Sequence, residues 1–339
     1  MRAVGYQTPL PIENPASLQD IDLPKPVPAG RDLLVEIKAV SVNPVDTKVR
    51  RSATPEDGHW RVLGWDAAGV IVATGPDVTD FSIGDEVFYA GALDRPGTNA
   101  EFHLVDERIV GRKPRSLNWA EAAALPLTAI TAWEMLFDRL DIRQSVPGVK
   151  PLLLIIGGGG GVSSMAIQLA RVLTDITVIA TASRPETREW VTSLGAHFVV
   201  DHSKPLAAQV AALPIGSPGF VFSTTQTDQH VADVVDLIAP QGHFGLIDDP
   251  ATLDAVPFKK KSLSLHWELM FTRSLFGTAD IGKQGKLLND VARLVDEGRL
   301  RTTLGKNLGK IAAANVREAH ALIESGHAKG KMVLEGFPA

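Results

Sequence analysis

Short apolar segments separated by turn residues make up the first third of the chain. Residues 33–40 and 67–73 have the composition of β-strands, and glycine, proline and aspartate punctuate this region at 75–76, 83–85 and 97–98. Apolar runs of this length, bounded by such residues, are typical of strands joined by tight connections. The pattern predicts an antiparallel, barrel-like domain.

A different pattern begins at residue 152, where an apolar run, a glycine-rich turn and an apolar helical segment follow one another. The run at 152–156 is uninterrupted, as in a strand covered on both faces, and residues 165–171 are helix-like. Further strands are predicted at 177–181, 198–201, 220–223 and 243–247, with helices at 185–194 and 229–238. Strands that alternate with helices form a parallel sheet through right-handed crossovers, so we expect a doubly wound α/β domain.

Helical segments flank this region on both sides. Residues 119–124 and 131–140 are predicted to be helical, and the tail carries amphipathic helices at 286–297 and 316–325 before a final strand at 331–334. The tail does not continue the alternation of strand and helix, so we expect it to pack against the first domain. A chain of 339 residues also exceeds the size of a single core, which favours two domains, one of them split in sequence.

Composition and charge narrow the class of function. The chain is 45% hydrophobic and 22% charged, as is usual for globular proteins, and its net charge of −5 gives no broad attraction to nucleic acid or anionic lipid. No apolar stretch approaches the roughly 18 residues that span a bilayer, and no secretory signal opens the sequence, so a cytoplasmic location is expected. Because the chain has no cysteine, disulfides, thiolate nucleophiles and cysteine-containing metal sites are excluded.

A run of five glycines at 157–161, between the buried strand and the apolar helix, is the strongest local signal for chemistry. Glycines in that position permit a tight turn and the close approach of a pyrophosphate, whose charge meets free amides at the start of the helix. In a G-x-G-x-x-G alignment the first two glycines are Gly158 and Gly160, and Ser163 takes the third position. Either the gap between helix and strand is wider there, or the Ser163 hydroxyl hydrogen-bonds the backbone or the cofactor.

The end of the second strand predicts which dinucleotide is bound. An NAD enzyme usually places a carboxylate there to hold the ribose 2'-hydroxyl, whereas this chain has Ser183 and Arg184. A hydroxyl and a guanidinium suit a 2'-phosphate, so NADPH is favoured as the cofactor. The alternative is that Arg184 only lies exposed at the start of a helix.

These stretches, with several others, resemble the medium-chain dehydrogenase/reductase superfamily and within it the quinone oxidoreductase, or zeta-crystallin-like, branch. The matching segments are 41–46, 63–70, 84–87, 124–133, 160–162 and 194–196. Segments 227–230, 247–250 and 264–271 resemble a group labelled zinc-binding alcohol dehydrogenase family proteins. The combination is specific, because the segments occur through most of the chain in the family's order.

The resemblance conflicts with the zinc label. In zinc alcohol dehydrogenases a ligand cysteine stands at the position of Asn43 and a ligand histidine at that of Trp65. The cysteine-rich structural zinc lobe is also missing, and His59, His103 and His320 are scattered along the sequence. We therefore expect no bound zinc, so that an alcohol would not be activated as a metal alkoxide.

The resemblance implies a GroES-like catalytic domain at residues 1–126, a Rossmann domain at 127–270, and a C-terminal segment at 271–339 that completes the first domain. By resemblance, the residues expected near the cofactor are Asn43, Thr131 and Ile247 at the nicotinamide, Gly160, Gly161 and Val162 at the pyrophosphate, and Ser183, Arg184 and His202 at the adenosine phosphate. A homodimer is likewise expected, with the Rossmann sheets meeting edge to edge.

Without a metal, the hydride acceptor must already be electrophilic, such as a quinone or an alkene conjugated to a carbonyl. Positioning of the reactants and polar stabilisation of the developing charge then supply the catalysis. Asn43, Asp46 and Lys48 are the candidate polar contacts, although several quinone reductases have tyrosine at the position of Lys48. In the alternative interpretation, Asp46 caps a helix or pairs with Arg50, Lys48 is solvated, and water supplies the proton.

Three aromatic residues, Trp65, Trp267 and Phe271, are placed near the substrate, with core packing as the alternative for each. The favoured function is a zinc-independent, NADPH-dependent reductase of quinones or conjugated enones. A zinc-type alcohol dehydrogenase and a non-catalytic NADPH-binding redox sensor are the alternatives.

Overall fold

The computed structural model describes residues 1–326 and 328–338. The strands are β1 Arg2–Tyr6, β2 Gln19–Asp22, β3 Asp32–Val42, β4 Arg61–Val62, β5 Ala67–Thr74, β6 Glu86–Tyr89, β7 Phe102–Asp106, β8 Val110–Arg112, β9 Leu152–Ile156, β10 Thr177–Thr181, β11 Phe198–Val200, β12 Phe220–Ser223, β13 His243–Leu246, β14 Ser264–Trp267, β15 Leu304–Asn307 and β16 Lys331–Glu335. The α-helices are α1 Pro44–Ser52, α2 Trp119–Ala123, α3 Pro126–Trp133, α4 Gly161–Leu173, α5 Pro185–Ser193, α6 Leu206–Ala211, α7 Thr227–Leu237, α8 Thr272–Leu275, α9 Lys283–Asp296 and α10 Ala313–Glu324. None of the helices in these ranges has the length and apolar character needed to cross a membrane.

The chain divides into two compact units. Residues 1–130 and 271–339 form the first unit, and residues 131–270 form the second. The domain limits expected from sequence lay at 126 and 270. The fold class is the expected one, an α/β protein that combines a β-rich first unit with a doubly wound parallel sheet.

The first unit is organised around β3, the longest strand described. It pairs antiparallel with β5, β7 and β16, and seven strands in all join this sheet. Apolar residues fill most positions of β3, and Leu33, Val35 and Ile37 are almost fully buried. Because β16 comes from the end of the chain, the C-terminal segment supplies a strand to the sheet begun by the N-terminal segment.

The second unit contains a six-stranded parallel sheet in the order β11-β10-β9-β12-β13-β14. The order reverses between β9 and β12, which creates a crevice at the carboxyl ends of these two strands where ligands usually bind. All five residues of β9 are buried, as the uninterrupted apolar run predicts.

The second unit differs from the sequence prediction at three places. One helix was predicted at 131–140. In the structure α3 ends at Trp133, and a π-helix follows it at Glu134–Arg139. The edge strand β14 was not predicted, because its four residues alternate polar and apolar side chains and do not form the uninterrupted apolar run expected of a strand in a parallel sheet. Ile247 follows β13 instead of ending it.

Candidate functional site

The glycine-rich turn between β9 and α4 is built against the end of β10. Gly157 has a φ of 87°, which favours glycine, and its amide donates to Thr181 Oγ1 at 3.0 Å. The amide of Gly158 donates to the Thr181 carbonyl at 3.0 Å, and a Cβ added at Gly158 would lie 2.7 Å from that oxygen. The turn therefore needs glycine at 158 for protein packing, independently of any ligand.

The start of α4 presents amides suited to an anion. Gly160 caps the helix without a side chain, and the first amides of any helix have no partner within it. The amides of Gly161, Val162 and Ser163 occupy these first positions. An anion beside these amides would accept hydrogen bonds from them and would be stabilised by the positive end of the helix dipole.

Ser163 is fully buried, and its hydroxyl has a protein partner. Its Oγ lies 3.0 Å from Thr224 Oγ1, which itself donates to the carbonyl of Ile156 at 2.8 Å. Since the single hydroxyl hydrogen of Thr224 is used there, Ser163 is the donor to Thr224. The partner of Ser163 is thus a side chain that follows β12, whereas the sequence-based alternatives named the backbone or the cofactor.

A second polar network follows the ends of β10 and β11. The ring of His202 lies between Thr181 Oγ1, 3.1 Å from Nδ1, and Ser183 Oγ, 3.2 Å from Nε2. Partial burial lowers the pKa of His202, which keeps the ring neutral near pH 7. Thr181 thus connects the amide of Gly157 to His202, so the glycine turn and the candidate 2'-phosphate residues form one network.

Arg184 caps α5 from a partly exposed position, and its Nε lies 3.3 Å from a carboxylate oxygen of Glu186. Sequence reasoning missed Arg188, one turn later, whose guanidinium donates to the carbonyls of Ala182 and Val199, both at 3.1 Å. Arg188 ties the segment containing Ser183 to the neighbouring strand. The sequence did offer a signal for Arg188, because it stands one helical turn after Arg184, the candidate phosphate contact.

The remaining cofactor candidates lie on two other elements. Ile247 follows β13 and is partly buried, beside Asp248, which accepts hydrogen bonds from the amide and hydroxyl of Thr227. Thr131 is buried in α3. In the second unit, the structure thus brings the glycine turn, Ser183, Arg184, His202 and Ile247 to one edge of the parallel sheet.

The first unit holds a group of four side chains, Asn43, Asp46, Asp66 and Lys331, here called the buried polar cluster. Lys331 Nζ lies 3.1 Å from Asp66 Oδ2 and also donates to Asn43 Oδ1. Asn43 Nδ2 donates to Asp66 Oδ2 at 3.0 Å and to the Ser41 carbonyl at 3.3 Å. Sequence reasoning missed Lys331, although a lysine inside an apolar strand pattern is itself a signal of a buried partner.

The environment of Asp46 differs from that of Asp66. Burial raises the pKa of Asp46 to about 7, although its Oδ2 accepts the amide of Asn43 at 2.7 Å. Its Oδ1 has no hydrogen-bond partner among the described residues. Burial also raises the pKa of Asp66, but Lys331 and the amide of Leu127 stabilise its ionised form.

These contacts bear on the three polar residues expected at the substrate. Both polar atoms of the Asn43 amide are engaged within the cluster, and the side chain is buried. Asp46 lies on the buried face of α1 and caps it, as one sequence-based alternative held, whereas Arg50 pairs with Glu324. Lys48 lies on the exposed face of α1. The structure therefore brings Asn43 and Asp46 together but places Lys48 on the opposite side of the helix.

The three aromatic residues expected near the substrate also differ in burial. Trp65 is buried, donates from Nε1 to the Ala92 carbonyl at 3.0 Å, and packs edge-on against Phe271 with ring centroids 6.2 Å apart. Phe271 is also buried, so these contacts agree with the core-packing interpretation of both rings. Trp267 lies at the end of β14 and is 51% exposed.

The residues at the expected zinc positions do not fit a catalytic zinc ion. The Asn43 oxygen accepts from a lysine ammonium, and the indole of Trp65 has no lone pair to offer. Among residues 1–326 and 328–338, no group of three or more His, Cys, Asp or Glu side chains is arranged to hold a metal. These residues therefore supply no ligand set for a zinc-bound alcohol.

Comparison with known families gives a consistent result. Residues 29–115 match the model of the alcohol dehydrogenase GroES-like domain, and residues 194–334 match that of the zinc-binding dehydrogenases. A zinc-type alcohol dehydrogenase-like protein of Staphylococcus aureus is 38% identical over 98% of this chain and 99% of its own length. The human mitochondrial NAD(P)H oxidoreductase RTN4IP1 is 30% identical over 89% of this chain and 81% of its own length.

Solved structures extend the likeness to the whole fold. A candidate zinc-dependent alcohol dehydrogenase from Rhizobium etli is 68% identical, with a TM-score of 0.98 and coverage of 100% of this chain and 99% of that one. The quinone oxidoreductase of Coxiella burnetii is 26% identical, with a TM-score of 0.80 and coverage of 99% of both chains. Relatives with both names therefore share one architecture.

Proposed function

We propose that this chain, which belongs to the zinc-type alcohol dehydrogenase-like proteins of the medium-chain dehydrogenase/reductase superfamily, is a reductase. In this proposal it is independent of zinc, uses NADPH and reduces quinones or conjugated enones. The similarity to oxidoreductases supports the broader class, an oxidoreductase with a nicotinamide cofactor. The observation that carries the proposal is the network joining the glycine turn to Thr181, His202 and Ser183.

The preference for NADPH rests on the groups at the end of β10. No carboxylate stands between Thr181 and Arg184 to accept hydrogen bonds from a ribose 2'-hydroxyl. Ser183 and Arg184 can instead donate to a 2'-phosphate, and Arg188 holds the backbone of that segment in place. Glu186 would exchange its contact with Arg184 for solvent when a phosphate binds.

The proposed catalysis uses few protein groups. NADPH, when bound, supplies the hydride. The amides at the start of α4 and the side chains of Ser183 and Arg184 hold the dinucleotide, and they fix its position relative to the protein. Asp46 is the best of the three predicted polar candidates for supplying a proton, because it holds one near neutral pH and its Oδ1 has no described partner. Water is the alternative source.

The proposal of a quinone or enone as the hydride acceptor follows from the side chains at the expected zinc positions. Oxidation of an unactivated alcohol requires a strong Lewis acid or base at the hydroxyl, and Asn43 and Trp65 supply neither. A quinone or enone already has a carbon that accepts hydride, so positioning and one proton suffice. We therefore place the reaction in the reductive direction.

The test is steady-state oxidation of NADPH with a panel of quinones and conjugated enones, together with oxidation of primary and secondary alcohols by NADP⁺. We expect turnover of at least one quinone or enone, unchanged after treatment with EDTA, and no alcohol oxidation. Alcohol turnover that is lost on chelation would instead support a zinc-type alcohol dehydrogenase. NADPH binding without turnover of any panel member would support a redox sensor.

The cofactor preference has its own test. Replacing Arg184 by Ala should weaken NADPH binding at least tenfold, since a charge-assisted hydrogen bond contributes about 1.5–3 kcal/mol, and should leave NADH binding unchanged. Arg171→Ala, at the exposed end of α4, is the matched control. Equal affinity of the unaltered chain for NADH and NADPH would contradict the preference.

We also propose a cytoplasmic homodimer. β14 is one edge strand of the parallel sheet, and Trp267 at its end and Leu269 just after it are 51% and 50% exposed. Apolar side chains at an open sheet edge favour pairing with a second chain. Light scattering of the purified protein should give twice the mass of one chain, and a Trp267→Asp substitution should shift the protein to the monomer.

A further inference from the structure

Two histidines and a serine converge on one face of the parallel sheet, away from the residues assigned to the cofactor. His243 begins β13, and Ser264 and His266 belong to the neighbouring edge strand β14. The strands pair in parallel with His243 opposite Ser264 and Gly245 opposite His266. Side chains alternate along strands, so all three of these side chains point to the same face.

The three donor atoms form a compact triangle. His243 Nδ1 lies 3.4 Å from His266 Nε2, and Ser264 Oγ lies 3.0 Å from the first and 2.9 Å from the second. Two ligands about 2.1 Å from one ion are separated by about 3.0 Å at an octahedral angle and about 3.4 Å at a tetrahedral one. The three separations, which are also hydrogen-bond distances, fall within the range between ligand atoms on one face of a metal coordination shell.

Surrounding residues hold this geometry. The His243 ring stacks on Phe220, with centroids 5.3 Å apart and planes at 21°. Met135 and Leu140 pack against Gly245, between the two histidines' strand positions, and leave no room there for a side chain. The His266 ring packs against His243 in turn, with centroids 5.6 Å apart and planes at 29°, so the two rings are held side by side before any ligand binds.

The nearby charges do not oppose a cation. Asp141 acts electrostatically on the ring of His243. Arg139 acts on the ring of His266, but its guanidinium is paired with Glu268 at 2.7 Å. Asp141 therefore favours a cation at this face, and Glu268 offsets the charge of Arg139.

We infer that His243, His266 and Ser264 form a binding site for one divalent transition-metal ion, with water completing the coordination. Two imidazoles and a hydroxyl suit Cu²⁺, Zn²⁺ or Ni²⁺ and not Mg²⁺ or Ca²⁺, which prefer sets of oxygen ligands. The two nitrogens are the main ligands, and Ser264 is a weak third. The bound ion links the edge strand β14 to β13.

The test measures binding of Zn²⁺, Cu²⁺ and Mg²⁺ to the full chain, without an affinity tag, by equilibrium dialysis and elemental analysis. We expect one Cu²⁺ or Zn²⁺ per chain and no Mg²⁺ at this site. His243→Gln and His266→Gln should each weaken the binding at least tenfold, whereas His59→Gln, which alters an exposed histidine, should leave it unchanged. Equal binding by all of these proteins would overturn the inference and leave only a hydrogen-bonded triad.

A spectroscopic measurement keeps the inference testable if a glutamine variant does not fold. Electron paramagnetic resonance of the unaltered chain with one equivalent of Cu²⁺ should show coupling to two imidazole nitrogens, and Ser264→Ala should retain that coupling. Coupling to fewer than two nitrogens would contradict the site. NADPH oxidation should be the same in His266→Gln, so loss of metal binding and loss of the proposed reductase activity are separate outcomes.

Discussion

At the scale of single residues, the protonation of Asp46 is the property with the clearest consequence. Its pKa of about 7 lies above the ordinary value of 3.8, so between these values the folded chain holds a proton that the unfolded chain releases. The resulting loss of stability develops as the pH rises from 3.8 and is complete above about 7. It amounts to about 4 kcal/mol at most, at about 1.4 kcal/mol for each pKa unit.

Asp46→Asn should therefore remove a pH dependence. Asparagine cannot ionise, yet its oxygen can still accept the amide of Asn43. We expect the free energy of unfolding of the variant, relative to the unaltered chain, to rise between pH 4 and pH 7, as measured by urea denaturation across that range. Asp57→Asn, an exposed substitution, is the control. A constant difference across that range would show that Asp46 is ionised throughout.

The buried His103 has the opposite dependence on pH. Burial lowers its pKa from 6.5 to about 4, while Tyr89 Oη lies 2.9 Å from its Nδ1 and the Pro96 carbonyl 2.9 Å from its Nε2. The unfolded chain therefore takes up the proton first as the pH falls, and stability is lost between about 6.5 and 4. His320, with a pKa of about 3, adds to this loss.

His103→Gln should reduce the acid sensitivity of the chain without abolishing it, because His320 remains. The expected change between pH 7 and pH 4 is up to about 3 kcal/mol in the free energy of unfolding. Thermal unfolding at several pH values would measure it. A slope equal to that of the unaltered chain would mean that His103 does not contribute.

At the scale of elements, two glycines of the turn between β9 and α4 have different roles: one is needed for protein packing and the other for the proposed binding of NADPH. A methyl group at Gly158 would approach the Thr181 carbonyl to 2.7 Å, whereas at Gly160 the nearest atom, the Gly157 carbonyl oxygen, is 3.5 Å away. Gly158→Ala should lower the stability by about 1–3 kcal/mol, the usual effect of overpacking. Gly160→Ala should fold normally but bind NADPH at least tenfold more weakly, because its methyl group occupies the approach to the amides of α4.

Calorimetry and NADPH titration of both variants would distinguish the two effects. If Gly160→Ala kept full affinity, the pyrophosphate would not pass this residue.

The glycine turn also shows which features of an element could be predicted from the sequence. The pattern of β9, turn and α4 follows from adjacent residues, but the contact of Gly158 with β10 joins segments over twenty residues apart, and no local pattern reveals which glycine is needed for packing.

At the scale of the whole molecule, Lys331 joins the ends of the chain within the first unit. It lies on β16 and contacts Asp66 and Asn43 inside the sheet centred on β3. Removing one partner of a buried ion pair leaves an uncompensated charge, which usually destabilises a protein by about 3–5 kcal/mol. Lys331→Met should lower the free energy of unfolding by that amount, as measured by chemical denaturation.

The control for this prediction is Lys306→Met, whose exposed contact with Glu318 at 3.1 Å should contribute less than about 1 kcal/mol. Adding Asp66→Asn to Lys331→Met should recover part of the loss, since it removes the stranded charge. No recovery would show that Lys331 stabilises the unit through packing of its aliphatic stem. A stability of Lys331→Met equal to that of the control would refute the role of the ion pair.

The sequence alone determined the elements that depend on neighbouring residues. The apolar run of β9, the glycine turn and the alternation of strand and helix all follow from local periodicity and turn chemistry. The absence of cysteine and the identities of Asn43 and Trp65 likewise needed no structure.

Only the tertiary structure decided which side chains meet. It grouped Asn43, Asp46, Asp66 and Lys331, gave Asp46 its raised pKa, and placed His243 beside His266. These contacts join residues far apart in sequence, or on adjacent strands whose register is set by the whole sheet. Burial and mutual distance fix their chemistry, and neither quantity is encoded in a local pattern of hydrophobic and polar residues.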